Sequence, residues 1–196
     1  MQGKIFEGDY KTRCKNIDSL LCVGDTFDML KREIRLGDRH AVFYMIDGFL
    51  KGEVLEKIME FFLSLAPEDV PETYEDFLKK CTPYGDIVTV TTEQDFLHYV
   101  LSGLTGFVVE GYDEILVIDL RDYPSRSVEE PDKDKVLRGS RDGFVEAIMP
   151  NIALIRRRIR DVDLKFEIYS IGSSSRTDIS VVYMKDRVNQ KALSII

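Results

Sequence analysis

The densest basic cluster of the sequence consists of Arg156, Arg157, Arg158 and Arg160. Guanidinium groups bind carboxylates and phosphates, so this cluster could contact an acidic protein surface or anionic lipid headgroups. A local explanation is also available, because arginines in the last turn of a helix interact favourably with the negative end of its dipole. On a helix, Arg156 and Arg160 share a face while the other two point elsewhere, so the four do not form one flat binding surface.

Two further segments contain reactive residue types without the spacing that catalysis needs. Glu129, Glu130 and Asp132 offer carboxylates, but acid–base catalysis requires two carboxyl groups held at a fixed separation. We expect these residues to be a solvated linker. Residues 172–176 form a Gly-Ser loop; phosphate-binding loops lead into a helix N-terminus, whereas a strand is predicted after this one.

The sequence predicts no cofactor, no metal ion and no catalytic triad. Its two histidines, His40 and His98, lie in no recognisable nucleophile motif. Cys14, Cys22 and Cys81 are odd in number and far apart, which indicates free thiols in a reducing cytoplasm and not a zinc site or a disulfide framework. We therefore expect a protein that is not an enzyme.

Charge and apolar run length exclude two classes of protein. The chain of 196 residues carries 27 basic and 35 acidic side chains, a net charge of -8, which argues against a protein that binds nucleic acid by neutralising phosphates. Its longest apolar runs, such as residues 41–46, are far shorter than the roughly 20 residues of a membrane-spanning helix. Residues 1–10 lack the apolar core of a secretion signal.

The distribution of charge predicts two units and a linker. Residues 1–120 contain 12 basic and 23 acidic side chains, whereas residues 121–160 contain 10 basic and 7 acidic ones. The stretch 123–142 has proline, serine and glycine and few apolar residues, which is typical of a linker. We predict an α/β protein with two small α/β subdomains, residues 1–122 and 143–196, that have mixed sheets and are joined by this polar linker.

Hydrophobic periodicity and turn residues predict where the helices and strands lie in the sequence. In the first unit they predict strands over 31–36, 40–47, 86–91, 107–110 and 114–120, and helices over 53–65, 71–80 and 93–102. In the second unit they predict a helix over 144–160, strands over 164–171 and 178–184, and the start of another helix at 188. Pro150 should kink or break the first of these helices near Met149.

The stretch from Asp119 to Asp186 contains a dense set of short motifs. They read DLRDYPSRS at 119–127, VLRGSRDGFVE at 136–146, NIALIRRRIRD at 151–161, IG at 171–172, SRTD at 175–178 and VVY at 181–183. This stretch resembles the signature of the GerA-type spore germination receptor A-subunit family of endospore-forming bacteria. The form GSRDG at 139–143 is most similar to the SpoVAF branch. Pro150 departs from the family pattern.

The resemblance implies the soluble N-terminal region of a larger membrane protein, with transmembrane helices after residue 196 and a second subdomain that continues there. It implies a domain on the cytoplasmic (core) side of the inner spore membrane, in an oligomeric assembly that conducts ions. We expect a role in assembling subunits, both like copies and partner membrane subunits, and in coupling their signal to the membrane part. The predicted contact residues are Glu129, Glu130, Arg138, Arg141, Arg156, Arg157 and Arg160.

The alternative is a small-molecule (germinant) sensing domain with a pocket between the two subdomains, since ligand sites favour domain interfaces.

Overall fold

The structure is a computed structural model that describes residues 3–82, 86–123 and 143–196. We use first unit and second unit only as labels for the segments up to residue 122 and from residue 143. The helices of the first unit are α1 (Tyr10–Leu20), α2 (Gly52–Ser64), α3 (Tyr74–Cys81) and α4 (Glu93–Leu101). Its strands are β1 (Met29–Leu36), β2 (Arg39–Ile46), β3 (Ile87–Val90), β4 (Thr105–Val109) and β5 (Ile115–Ile118). The second unit contains α5 (Ile148–Arg158), β6 (Leu164–Ile171), β7 (Thr177–Met184) and α6 (Gln190–Leu193).

The predicted α/β class is confirmed, and both sheets are antiparallel. The first unit has one sheet with the strand order β1-β2-β4-β5-β3, and β6 and β7 form a second, two-stranded sheet. Every strand pair in these two sheets, within the described residues, is antiparallel. The mixed sheets that we expected are therefore not observed. The short connections within β1–β2, β4–β5 and β6–β7 allow antiparallel neighbours only, because a parallel pair needs a long crossover.

The sheet of the first unit is covered by helices on both faces. Along β2, Val42 and Tyr44 pack with α1 and α4, whereas Phe43 and Met45 pack with α2 and α3. This alternation follows from the two-residue period of a strand. Phe43 stacks on Phe107 of β4 with ring centroids 4.3 Å apart. The central strands are thus buried on both faces of the sheet, so the sheet holds the loops at its ends in fixed positions.

Side-chain caps determine where several helices begin. The Thr92 hydroxyl accepts the N–H of Asp95 (3.1 Å) at the start of α4, a common N-terminal cap. Helix α3 begins at Tyr74 and not at Pro71, because the Thr73 hydroxyl accepts the N–H of Asp76 (3.3 Å) and caps it there.

Helix α5 shows how Pro150 acts. The helix begins at Ile148, so Pro150 lies in its first turn, where an N–H would have no partner within the helix. The proline therefore breaks the predicted 144–160 helix near Met149 and leaves the remaining helix intact. Behind α5, the core of the second unit is small and consists of Ile152, Leu164 and Phe166 with partly buried neighbours.

In the described residues 3–82, 86–123 and 143–196, no helix is both long enough and apolar enough to cross a membrane.

Candidate functional site

The two units meet along strand β6. The N–H of Phe27 donates a hydrogen bond to the carbonyl of Phe166 (2.9 Å), and the N–H of Phe166 donates to Thr26 Oγ1 (3.1 Å). Residues 26–28, which precede β1, therefore lie against the edge of β6. Main chain of the first unit is bonded to main chain of the second at this point.

A buried ion pair between Arg156 and Asp28 lies beside this contact, and we call it the interunit ion pair. Arg156, in the last turn of α5, donates from Nε to Asp28 Oδ2 (2.6 Å) and from Nη2 to Asp28 Oδ1 (3.0 Å). The Arg156 side chain is 1% exposed and that of Asp28 is 0% exposed. The Thr26 hydroxyl donates a further hydrogen bond to Asp28 Oδ1 (2.7 Å). Removing two charges from water costs several kcal/mol per ion, so such a pair is tolerated only with close geometry and further hydrogen bonds.

The guanidinium of Arg156 has these further bonds. Its Nη1 donates to the carbonyl of Asp161 (2.6 Å), and its Nη2 donates to the carbonyl of Leu164 (2.9 Å). Its Cζ lies 5.1 Å from the ring centroid of Phe166, a cation–π contact. The charged group is thus held on all sides by the second unit while it binds a carboxylate of the first. Separation of the two units would leave a buried charge without its partner.

Two predictions about the arginine cluster are wrong. Arg156 lies inside the protein, so its guanidinium is not available to another subunit. The prediction that Arg156 is a subunit contact is therefore wrong. Arg156 and Arg160 do not share a helical face, because α5 ends at Arg158 and Ile159 has an extended backbone (φ -118°, ψ 95°).

Arg157 and Arg160 are exposed and lie at the boundary between the units. The Cζ of Arg157 lies 4.6 Å from the centroid of the Tyr123 ring, and the Tyr123 hydroxyl donates to the carbonyl of Ser102 (2.6 Å) at the end of α4. The Nη1 of Arg160 donates to the Ser102 hydroxyl (3.1 Å). These contacts hold both arginines in place at the surface.

The other predicted contact residues lie outside the described residues. They are Glu129, Glu130, Arg138 and Arg141. Most of the predicted 123–142 linker also lies outside the described residues.

A second ion pair lies at the end of the first unit. Arg121 Nε donates to Asp119 Oδ1 (2.8 Å), and Arg121 Nη2 also contacts Asp119 Oδ2. These hydrogen bonds lower the pKa of Asp119 below its ordinary value of 3.8. Arg121 Cζ lies 5.8 Å from the Tyr123 ring centroid, so Tyr123 is flanked by arginines of both units.

Cys14, Cys22 and Cys81 are free. Cys14 and Cys81 are buried, and burial raises the pKa of both thiols. Cys22 is only partly buried. Within the described ranges, no three histidine, cysteine or acidic side chains are grouped as a metal site would require.

Sequence reasoning missed the first unit's half of the interunit ion pair. Asp28 lies between Phe27 and Met29 in an otherwise apolar stretch. A carboxylate in such a stretch is costly to bury without a partner, and this was the available signal. Nothing in the sequence indicates that its partner is Arg156, which is 128 positions away.

Comparison with known proteins identifies the family of the chain. The sequence model described as GerA, Bacillus/Clostridium GerA spore germination protein, matches residues 17–196. This chain belongs to the GerA family. It is 34% identical over 176 residues to stage V sporulation protein AF of Bacillus subtilis (strain 168), a match that covers 89% of this chain and 36% of the relative. It is 27% identical over 176 residues to spore germination protein KA of the same strain, covering 87% of this chain and 32% of the relative.

Both relatives are named as sporulation or germination proteins, and the chain spans about a third of their length. The resemblance predicted from the 119–186 motifs is thereby confirmed.

A similar fold is known from a crystal structure of another protein. The N-terminal domain of the A subunit of the Bacillus megaterium spore germinant receptor GerK3 superposes with a TM-score of 0.69 at 19% sequence identity. The match covers 96% of this chain and 69% of that chain. The two share the fold of a germinant receptor N-terminal domain.

Proposed function

We propose that these residues form the N-terminal domain of a spore germination membrane protein of the germinant receptor A-subunit or SpoVAF type. The domain assembles with other subunits and couples their signal to an ion-conducting membrane part that follows it in the polypeptide. Membership of the GerA family and the partial coverage of longer relatives support this proposal. We place the domain on the cytoplasmic (core) side of the inner spore membrane, and we assign it no catalytic role.

The interunit ion pair is the main support for the proposed coupling role. A domain that passes a signal must move as a block, or between two defined arrangements, and must not bend freely. Asp28 and Arg156 join the units through charges that are buried and fully hydrogen-bonded. Because neither charge can lose its partner cheaply, a force on one unit displaces the other.

The exposed arginines at the boundary are the proposed subunit contacts. Arg157 and Arg160 remain candidates because they are exposed and held in place. Arg138 and Arg141 remain candidates from the sequence, with Glu129 and Glu130 as partners of opposite charge. Pairing between such groups on neighbouring subunits would fix their relative orientation.

Charge reversal tests the assembly role. In the full-length protein, the paired variants Arg157→Glu/Arg160→Glu and Arg138→Glu/Arg141→Glu should each reduce co-purification of partner subunits and slow germination, measured as the fall in optical density of a spore suspension. Arg187→Glu is the matched control, since the Arg187 side chain is 74% exposed and its ion-pair partner is Asp186, its neighbour in the chain. Unchanged co-purification together with unchanged germination would refute the assembly role.

The alternative, a small-molecule sensor, has its own test. Beside β6 the Arg156 guanidinium and the Phe166 ring are buried against each other, which favours coupling over ligand binding at that point. A ligand that binds only the native state must raise the melting temperature. Melting with amino acids, sugars and nucleotides in turn should give no shift if coupling is the role, and a saturable rise would support the sensor.

A further inference from the structure

Lys165 in β6 is a buried lysine whose ammonium group has no counter-charge. The residue is 1% exposed, and its Nζ has no hydrogen-bond partner among the described residues. Taking a charge out of water is costly unless the charge is paired and hydrogen-bonded. The other two buried cations in the described part of the chain, Arg13 and Arg156, are both hydrogen-bonded. Lys165 is thus the exception, and its burial needs an explanation.

A second lysine lies on the same face of the hairpin β6–β7. In the register of the two strands Lys165 is opposite Tyr183. Backbone pairing continues just past β7, where the N–H of Lys185 donates to the carbonyl of Asp163 (2.7 Å). Because side chains two positions apart on a strand point to the same face, Lys185 lies beside Tyr183 on the face of Lys165. A carboxylate over this end of the hairpin can therefore reach either lysine.

Asp25 of the first unit supplies such a carboxylate. Its Oδ2 accepts a hydrogen bond from Lys185 Nζ (3.1 Å). This hydrogen bond lowers the pKa of Asp25, and the charge of Lys165 lowers it further. Asp25 thus lies within electrostatic range of both lysines but is hydrogen-bonded only to the outer one.

The pair that Asp25 makes with Lys185 is a weak one. Both side chains are 54% exposed, and water screens the attraction between exposed charges. A pair between Asp25 and Lys165 would lie in a medium of lower dielectric constant, where the attraction is stronger, but Asp25 would lose its water. Because this gain and this cost oppose each other, we expect only a small difference in free energy between the two pairings.

The backbone on either side of Asp25 is suited to a change of conformation. Cys22 has a left-handed backbone (φ 53°), which is uncommon for a residue other than glycine, asparagine or aspartate. Gly24 is also left-handed (φ 87°), and no atom lies within 4 Å of the position that a Cβ would take. Strained residues are frequent in segments that switch between conformations. Residues 22–26, the 22–26 loop, thus combine strain with open space.

We propose that the 22–26 loop has two positions, in which Asp25 pairs either with Lys185 at the surface or with the buried Lys165. In the second position the ammonium of Lys165 gains its counter-charge, and Lys185 is left in solvent. Asp28, which is bound to Arg156, follows the loop directly in the chain, so the loop connects this exchange to the interunit ion pair. The exchange goes beyond the proposed function, because it is a property of the folded domain whether or not the domain couples a signal.

Carboxyl labelling follows Asp25 directly. In the full-length protein in detergent, Lys185→Met removes the surface partner of Asp25. The Asp25 carboxyl should then react with a water-soluble carbodiimide and an amine at least about threefold more slowly than in the wild type, because most molecules shift to the buried pairing. Adding Lys165→Met should restore the rate, which is measured by mass spectrometry of the peptide. If Asp25 reacts in the Lys185→Met protein as fast as in the wild type, or faster, the carboxylate stays at the surface and the proposal is overturned.

Arg187→Met is the matched control for this labelling. Asp186 is 46% exposed and its partner Arg187 is 74% exposed, so Asp186 also loses a surface cation in this variant. We expect its labelling to be unchanged or faster. If Asp186 slows to the same extent as Asp25, slower labelling is a general result of losing a cationic partner, and the proposal is overturned.

Melting temperatures give an independent test. In the Lys185→Met protein, Asp25→Asn should lower the melting temperature by at least about 2 °C, because an amide lacks the charge that Lys165 requires. The same change should have no effect when Lys165→Met is also present. An effect that is absent in the first protein, or equal in the two, would overturn the proposal. Both tests use purified protein and leave the charge-reversal experiments on germination unaffected, so failure here can be distinguished from failure of the proposed function.

Discussion

Replacing Arg156 with methionine should destabilise the protein far more than any surface charge replacement. The change Arg156→Met keeps most of the aliphatic volume but removes both hydrogen bonds to Asp28 and those to two main-chain carbonyls. It also leaves the Asp28 carboxylate, 0% exposed, without a cation. Removing one partner of a buried ion pair costs about 3–5 kcal/mol. For a chain of this length that is a fall in melting temperature of about 6–20 °C.

The assay is a double-mutant cycle on the purified protein, followed by circular dichroism in urea. Asp28→Asn removes the negative charge and keeps an acceptor for the Thr26 hydroxyl. The double variant with Arg156→Met should be more stable than the sum of the single changes indicates, by about 1–3 kcal/mol, because no unpaired charge is left. Arg187→Met is the control: its pair with Asp186 is exposed and should contribute less than about 1 kcal/mol. A cost below about 1 kcal/mol for Arg156→Met, or additive single changes, would refute the reasoning.

Two further predictions concern titration and thiol chemistry. The pKa of Asp119 is lowered by hydrogen bonds from Arg121, so this pair stabilises the fold above the ordinary carboxyl pKa, and that stability is lost as pH falls through the lowered value. Asp119→Asn should therefore flatten the dependence of the unfolding free energy on pH below about 4, and an unchanged slope would contradict it. In the native protein, Cys22 should react with a thiol reagent well before Cys14 and Cys81, whose burial raises their pKa; all three reacting at one rate would show that the core opens.

Much of the fold could be predicted because its strands and helices follow simple periods. The hairpin around Gly37 has a left-handed glycine (φ 60°) at its turn, and the predicted strands β6 and β7 agree with the structure to within a residue. Helix α1 was not predicted from its pattern. Its buried positions include Arg13, which donates to the carbonyl of Tyr112 (2.6 Å), so a polar residue interrupts the apolar stripe that would have revealed the helix.

The candidate site could be predicted only in part, because its central contact depends on tertiary structure. The sequence shows that four of the five residues 156–160 are arginines, but not which arginine is buried. The backbone conformation determines which arginine is buried. Helix α5 directs Arg156 towards residues 26–28. The backbone is extended at Ile159, after the helix ends at Arg158, and Arg160 lies at the surface. One sequence without its fold does not pair side chains that are 128 positions apart.

The coupling role is tested most directly by germination of spores that carry Arg156→Met in the full-length protein, at a temperature where the variant is folded and its amount and subunit assembly match the wild type. The proposal predicts that germination is several-fold slower although the subunits still assemble, and that it stays slow when Asp28→Asn is added, because the double variant regains stability but not the ion pair. Germination at the wild-type rate, in a variant shown by the mutant cycle to have lost the ion pair, would contradict it.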